Sequence, residues 1–196
     1  MAALPASVER LKFRNTGLRE IQNQSHAVVQ AVVSRLAEID FSDNNALRWT
    51  QVHFATKAWP HVKTIKMNNT TFLGPPFHFL LLSQQMPQME VLEANGVPLY
   101  GAWNINLVCQ KLTNLRRLSI ARCWQLSDVG VLRIASTLTK LESVDISGCT
   151  PFTQVAFFAF ANLRATLRFL DVSDTNVDSD SVDVLRLCLP ACDIVH

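Results

Sequence analysis

The chain has 196 residues, 48% of them hydrophobic, with 18 basic and 16 acidic side chains and a formal net charge of +2. This length and apolar content predict one folded domain with a continuous core and exclude a disordered chain. The small net charge argues against binding of nucleic acid along the whole surface. The sequence has no apolar window long enough to predict a membrane-spanning helix.

A nine-residue pattern recurs seven times along the chain. Apolar residues stand at its first, fourth and sixth positions, and Asn, Thr, Cys or Val stands at its ninth. The copies begin at Val8, Leu36, Val62, Met89, Leu115, Leu141 and Leu167. A spacing of 26 to 28 residues predicts a leucine-rich repeat solenoid that occupies residues 1–196 as a single domain.

Each copy of the pattern predicts a short strand. The alternation of apolar and polar residues turns one side of the strand inward, and neighbouring strands must pair in parallel to cover that side. The residue at position nine is expected to close the turn by bonding the adjacent backbone or by filling a small apolar slot. Val97 has no side-chain donor, so the fourth copy is expected to close differently.

A segment with helical periodicity follows each predicted strand. The predicted helices lie near 25–35, 46–58, 77–86, 104–112, 127–138, 153–164 and 180–188. Ser127 or Asp128 is the expected N-cap of the helix near 127–138. The sequence thus predicts an α/β solenoid with a parallel sheet on its concave face, helices on its convex face, and a short last strand near 192–195.

Two repeats carry a family resemblance. Leu115-x-x-Leu118-x-Ile120-x-x-Cys123 and the matching repeat that ends at Cys149 resemble the cysteine-containing class of leucine-rich repeat. That class is best known from the substrate-binding half of F-box proteins in ubiquitin ligases and from other intracellular scaffold and assembly proteins. The resemblance implies a protein-binding module. An F-box would need a helical module before the first repeat, which begins at Val8.

The five cysteines predict buried thiols and no disulfide framework. Cys123 and Cys149 occupy position nine of consecutive repeats, where a small apolar side chain fits. Cys188 and Cys192 have no matching pair of ligands for zinc. Free thiols indicate a reducing intracellular compartment, and the first residues lack the layout of a secretory signal.

The acidic segment near the end of the chain partly matches the spacing of a calcium-binding loop. Asp174 and Asp178 have the required spacing, but Ser179 and Leu185 stand where glycine and a bidentate glutamate are needed. Asp178 or Ser179 is instead expected to cap the last helix. The scattered histidines form no catalytic motif, so neither an enzyme nor a cofactor is predicted, although a hydrolase site assembled across repeats stays as an alternative.

The outward-facing strand positions form the candidate binding surface. The basic trio Arg10, Lys12 and Arg14 suggests an RNA contact, whereas neutralisation by Glu38 and Asp40 on the next strand is the competing interpretation. A large aromatic side chain at an outward position is a candidate hot spot. The candidate partner-binding residues are Arg10, Lys12, Arg14, Lys66, Glu93, Arg117, Asp145, Phe169, Asp171 and, on a helix that is apolar all round, Phe77.

These features together predict a non-enzymatic scaffold for protein partners, a subunit of a larger intracellular complex. Three alternatives remain at this point. They are a substrate receptor associated with a ubiquitin ligase, an RNA-contacting subunit of a ribonucleoprotein, and a hydrolase.

Overall fold

A computed structural model describes residues 9–14, 36–44, 47–48, 61–73, 86, 88–98 and 102–196. The strands in this part of the chain are β1 Arg10–Lys12, β2 Glu38–Asp40, β3 Leu47–Arg48, β4 Thr64–Lys66, β5 Phe72–Leu73, β6 Val91–Glu93, β7 Arg117–Ser119, β8 Ser143–Asp145, β9 Phe169–Asp171 and β10 Asp193–Val195. The helices there are α1 Ala102–Lys111, α2 Asp128–Thr137, α3 Gln154–Phe157 and α4 Ser179–Cys188, and a 3-10 helix spans Phe158–Leu163.

Within the described residues, eight strands form one parallel sheet in the order β1-β2-β4-β6-β7-β8-β9-β10. Each three-residue strand pairs with its neighbour without a shift in register, so that Leu118 lies opposite both Leu92 and Val144. The sheet forms the concave face and the helices form the convex face. The predicted α/β solenoid is therefore confirmed.

The core lies between the sheet and the helix layer. The middle residues of the central strands are fully buried, among them Ile65, Leu118 and Val144. Strand alternation sends these middle residues inward, and it leaves the first and third residues of each strand on the concave face.

The aromatic segment after β8 joins one turn of α-helix to a 3-10 helix. A 3-10 helix has three residues per turn, so side chains three residues apart lie on the same side. Phe157, Phe160 and Leu163 follow this spacing and are all buried. Phe157 and Phe160 therefore belong to the core.

In the six repeats whose position eight the structure describes, the residue at that position is left-handed. The φ angles are 63° at Asp43, 53° at Asn69, 66° at Gly96, 58° at Arg122, 67° at Gly148 and 57° at Asp174. Asn, Asp and Gly tolerate this region better than other residues do. Arg122 is the long side chain in this series.

Position nine closes the turns as predicted. Asn44 donates its amide to the Phe41 carbonyl at 2.7 Å, and the Thr70 hydroxyl donates to the same carbonyl at 3.0 Å. In the fourth repeat Val97 is buried, and its carbonyl accepts the Cys123 thiol of the next repeat at 3.3 Å. The fourth repeat is thus closed by apolar packing of Val97 and by the thiol donor of Cys123.

The start of the predicted helix near 46–58 is wrong. Leu47–Arg48 forms β3, which pairs in parallel with β5 in a separate two-stranded sheet. The rest of that segment, the predicted helix near 25–35, and the one near 77–86 apart from Met86 lie outside the described residues.

The two predicted N-caps behave differently. Asp178 caps α4, since its carboxylate accepts a hydrogen bond from the Ser181 amide at 2.8 Å, as expected. Ser127 occupies the N-cap position of α2 without a side-chain cap bond. Asp128 instead accepts hydrogen bonds from the backbone amide and hydroxyl of Thr153, so it ties α2 to the start of α3.

Candidate functional site

The concave face consists of two columns of side chains, one from the first and one from the third residue of each strand. Zero register shift places equivalent residues beside one another along the sheet. The first column is Arg10, Glu38, Thr64, Val91, Arg117, Ser143, Phe169 and Asp193. The third-residue column is Lys12, Asp40, Lys66, Glu93, Ser119, Asp145, Asp171 and Val195.

Four charged side chains on the first four strands of the sheet are paired with one another. Glu38 accepts both Arg10 at 3.4 Å and Lys66 at 3.9 Å. Lys66 also lies 3.3 Å from Glu93. These four side chains form a continuous line of alternating charge from β1 to β6, which leaves little net field there for a partner.

Arg14 is neutralised at the turn that follows β1. Its guanidinium lies 2.8 Å from Asp43 and 3.9 Å from Asp40. Hydrogen bonds from Asn69 and then from Arg14 lower the pKa of Asp43. The cation beside Asp40 is therefore Arg14, from the turn, and not Lys12, from the strand. Lys12 makes no ion pair within the described residues.

A hydrogen-bonded ladder of neutral side chains continues the surface. Asn68 accepts the Asn95 amide at 2.9 Å, and Asn95 accepts the Ala121 amide at 2.7 Å. The Ser119 hydroxyl lies between the Asn95 side-chain oxygen at 2.7 Å and Asp145 at 2.8 Å. These bonds fix the orientation of the polar side chains in front of the sheet.

Asp145 and Asp171 face each other across the β8 and β9 pairing. Each carboxylate accepts the backbone amide and the hydroxyl of the serine two residues later. Asp145 binds Ser147 in this way at 3.1 and 2.8 Å, and Asp171 binds Ser173 at 2.9 and 2.6 Å. Neither carboxylate is within ion-pair distance of a basic side chain in the described part of the chain.

A concavity of about 770 Å³ opens over the middle of the sheet. Its floor comes from the first column at Val91, Arg117, Ser143 and Phe169 and from the third-residue column at Glu93, Ser119 and Asp145. Phe169 is half-buried there. The volume is in the range of sites that enclose a side chain or a short peptide segment.

The rim of this concavity comes from residues that directly precede the strands. Glu90 lies 2.7 Å from Lys63, and Arg116 is ion-paired with Glu142. Lys63 is the largest cause of the lowered pKa of Glu90. Sequence reasoning missed this rim, although the alternating charge of the residues before consecutive strands was a visible signal.

The predicted site residues divide into three groups. The concavity brings together Glu93, Arg117, Asp145 and Phe169, and Asp171 adjoins it. Arg10, Lys12, Arg14 and Lys66 lie at or toward the β1 end of the sheet. Phe77 lies outside the described residues. Whether any of them contacts a partner stays a prediction.

No three of the described His, Cys, Asp and Glu side chains are grouped to hold a metal ion. None of the helices in the described ranges combines the length and the apolar character that crossing a bilayer requires.

Comparisons with known proteins agree on the architecture. A family profile described as Leucine Rich repeat matches residues 111–135. No curated protein matches the sequence. The crystal structure of an internalin from Listeria monocytogenes superposes with a TM-score of 0.59 at 16% identity, over 97% of this chain and 48% of its own. An LRR protein from Leptospira interrogans gives a TM-score of 0.47 at 14% identity, over 86% and 50%.

The matched repeat and the internalin likeness confirm the predicted leucine-rich repeat fold. The chain spans about half the length of each of the two solved proteins. At this level of identity the likeness concerns the fold alone.

Proposed function

We propose that this leucine-rich repeat solenoid is a non-enzymatic protein-binding module that engages its partner through the concavity over β6 to β9. The observation that carries the proposal is the position of Phe169. Its ring is half-buried at the floor of a 770 Å³ depression whose rim includes the ion-paired Glu90, Arg116 and Glu142. An aromatic side chain in a recessed position with a polar rim is the arrangement of an interface hot spot.

The unpaired charges of the concavity support the same surface. The Arg117 guanidinium makes no hydrogen bond or ion pair within the described residues, whereas the cations toward β1 are largely paired. A guanidinium that is free to pair with a partner gives specificity and orientation.

The finer setting is part of the proposal. The chain belongs with the cysteine-containing type of repeat, acts as a structural or assembly subunit of a larger complex, and resides in a reducing intracellular compartment. The free, buried thiols of Cys123 and Cys149, each bonded to a carbonyl of the preceding repeat, support the repeat type and the compartment.

The alternative roles draw less support. A substrate receptor for a ubiquitin ligase would use the same concavity and differs only in its partner. RNA contact at the β1 end is disfavoured because Arg10 and Arg14 are paired with acidic side chains. A hydrolase lacks a specific observation in its favour.

Site-specific photocrosslinking in native cells tests the proposal. A photoreactive phenylalanine replaces Ser143 at the floor of the concavity or, as the matched control, Leu187 on α4, which is 83% exposed on the helix layer. We expect protein adducts from position 143, little crosslinking from position 187, and loss of the adducts when Phe169→Ala is added. Adducts from position 187 alone would move the interface to the helices, and RNA adducts would replace the protein-binding proposal.

A further inference from the structure

We infer that the part of the concave face formed by β8 and β9 binds a peptide segment through one lysine or arginine side chain, which lies along Phe169 and places its charge at Asp145 and Asp171. This inference rests on the proposed protein-binding function and names the chemistry of the partner. It follows from which charges on the sheet are compensated and which are not.

The two carboxylates form an uncompensated like-charge pair. Their strands are direct neighbours with the residues in register, so the side chains stand about 5 Å apart on the same face. Their hydrogen bonds come from neutral donors, the serines two residues later and Ser119. Such bonds orient the carboxylates toward the concave side without cancelling their charge.

The basic side chain next to β9 in the sequence is engaged elsewhere. Arg168 directly precedes β9, but its guanidinium donates to the carbonyl oxygens of Leu167 at 2.8 Å and Ala165 at 2.9 Å. The three residues of β8, of β9 and of β10 include Asp145, Asp171 and Asp193 and no lysine or arginine. Charge complementarity at this end of the sheet must therefore come from a second molecule.

Phe169 supplies the apolar part of the site. It stands two residues before Asp171 on the same strand, so both side chains face the concavity about 7 Å apart. That distance matches a lysine or arginine whose methylene stem packs on a ring while its charged end reaches beyond it. A cation near the ring also gains from the cation–π interaction.

Arg117 limits the charge of the partner. It occupies the first column two strands from Phe169 and lines the same concavity. A second cation in the concavity would be repelled by this guanidinium, whereas an acidic side chain or a backbone carbonyl would be attracted to it. The site therefore selects one basic side chain and disfavours a polybasic tract.

Nucleic acid and metal ions fit this end of the sheet poorly. A phosphate backbone would be repelled by the same carboxylates that attract a basic side chain. A metal ion would need more oxygen ligands than this pair offers, and the described residues contain no group of three potential ligands.

Selection from a displayed library of random peptides of about 12 residues tests the inference with the full chain as bait. We expect the recovered peptides to share one lysine or arginine beside apolar residues. The tightest of them, made synthetically and labelled, then serves as the probe in titrations. The variants are Asp145→Asn and Asp171→Asn, alone and together, because the asparagine oxygen can still accept the serine bonds.

We expect the double variant to bind the probe at least about 10-fold more weakly, and the wild-type affinity to fall as salt is raised. Asp180→Asn on α4, an exposed acidic residue outside the concave face, is the matched control and should leave affinity unchanged. Unchanged thermal unfolding of the Asn variants ensures that a loss of binding is not a loss of fold.

Three results would overturn the inference, and they separate it from the proposed function. Peptides that lose affinity with Phe169→Ala but show no basic preference, or bind the double Asn variant equally well, would leave a concave binding surface with a different partner chemistry. Peptides whose affinity is unchanged by Phe169→Ala would show that the concave face is not the binding site. A labelled RNA that binds the wild-type chain more tightly than the probe does would reassign the surface to nucleic acid.

Discussion

The thiol sulfur of Cys123 lies 3.3 Å from the carbonyl oxygen of Val97, at the equivalent position of the preceding repeat. Cys149 lies 3.3 Å from the carbonyl oxygen of Ile120, at position six of its preceding repeat, and Cys123 makes the equivalent contact with Ala94 at 3.6 Å. Both thiols are buried, and each supplies the donor that asparagine or threonine provides at this position in other repeats. The cysteines thus satisfy backbone acceptors inside the solenoid and fill the space around them.

Replacing Cys123 measures how much its hydrogen bond to Val97 contributes to the free energy of unfolding. Cys123→Ala leaves the Val97 carbonyl without its donor and opens a small cavity, so we expect the free energy of unfolding to fall by about 1–3 kcal/mol. Cys123→Thr restores a donor of the kind found at Thr70 and should cost less than half as much. Chemical denaturation compares the two, with the exposed Cys188→Ala as control. Equal losses for Ala and Thr would mean that the bond contributes nothing.

The buried thiols make stability sensitive to alkali. Burial raises the pKa of Cys123 to about 12 and the pKa of Cys149 to about 11, from an ordinary 9.0. Above pH 9 the unfolded chain loses these protons while the folded chain keeps them. The free energy of unfolding should therefore fall by about 1.4 kcal/mol per pH unit for each buried thiol, until the pH reaches its folded pKa.

Denaturation curves between pH 8 and pH 11 check this dependence. Cys123→Thr should show a shallower decline than the wild type, because it titrates one buried thiol fewer. The same protonated thiols should resist alkylation by iodoacetamide until the chain unfolds, whereas Cys188 reacts in the native state. Modification of Cys123 at native rates equal to Cys188 would contradict the prediction.

Substitutions at the left-handed turn position should change the free energy of unfolding in opposite directions in two neighbouring repeats. Arg122 has a φ of 58°, which strains a long side chain, so Arg122→Asn should raise the free energy of unfolding by up to about 1 kcal/mol. Gly148 has a φ of 67°, and an added Cβ would lie 3.0 Å from the Arg122 side chain. Gly148→Ala should therefore lower stability by about 1–2 kcal/mol. Thermal unfolding of the two variants tests the signs, and effects in the same direction would refute the argument.

The ion pairs that Lys66 makes near the β1 end of the sheet predict a salt-dependent contribution to the free energy of unfolding. Lys66 lies 3.9 Å from Glu38 and 3.3 Å from Glu93, and both carboxylates are about four-fifths buried. Lys66→Met removes their shared cation while keeping the apolar stem, so we expect a loss of about 1 kcal/mol at low ionic strength. In 1 M salt the difference should shrink, since screening weakens the repulsion between the remaining charges. An undiminished loss would point to packing instead.

The periodicity of apolar residues was sufficient to predict the fold, because it depends on which neighbouring positions of the chain must be buried. Alternation around residues such as Leu118 and Val144 fixes which side chains enter the core, and a constant repeat length brings equivalent strands together. The prediction was wrong at Leu47–Arg48, where helical spacing gave way to pairing with Phe72–Leu73. A short apolar run satisfies both periods, and only a distant partner strand decides between them.

The sequence by itself determined the columns of the concave face, because side-chain direction in a strand depends only on position. It did not determine which charges in those columns are paired. That depends on the length and direction of side chains from neighbouring repeats, as the choice of Arg14 over Lys12 at Asp40 shows. Only the tertiary structure brought Arg117 and Phe169 into one concavity and left Asp145 and Asp171 without a cation among the described residues, since both results require three adjacent repeats in register.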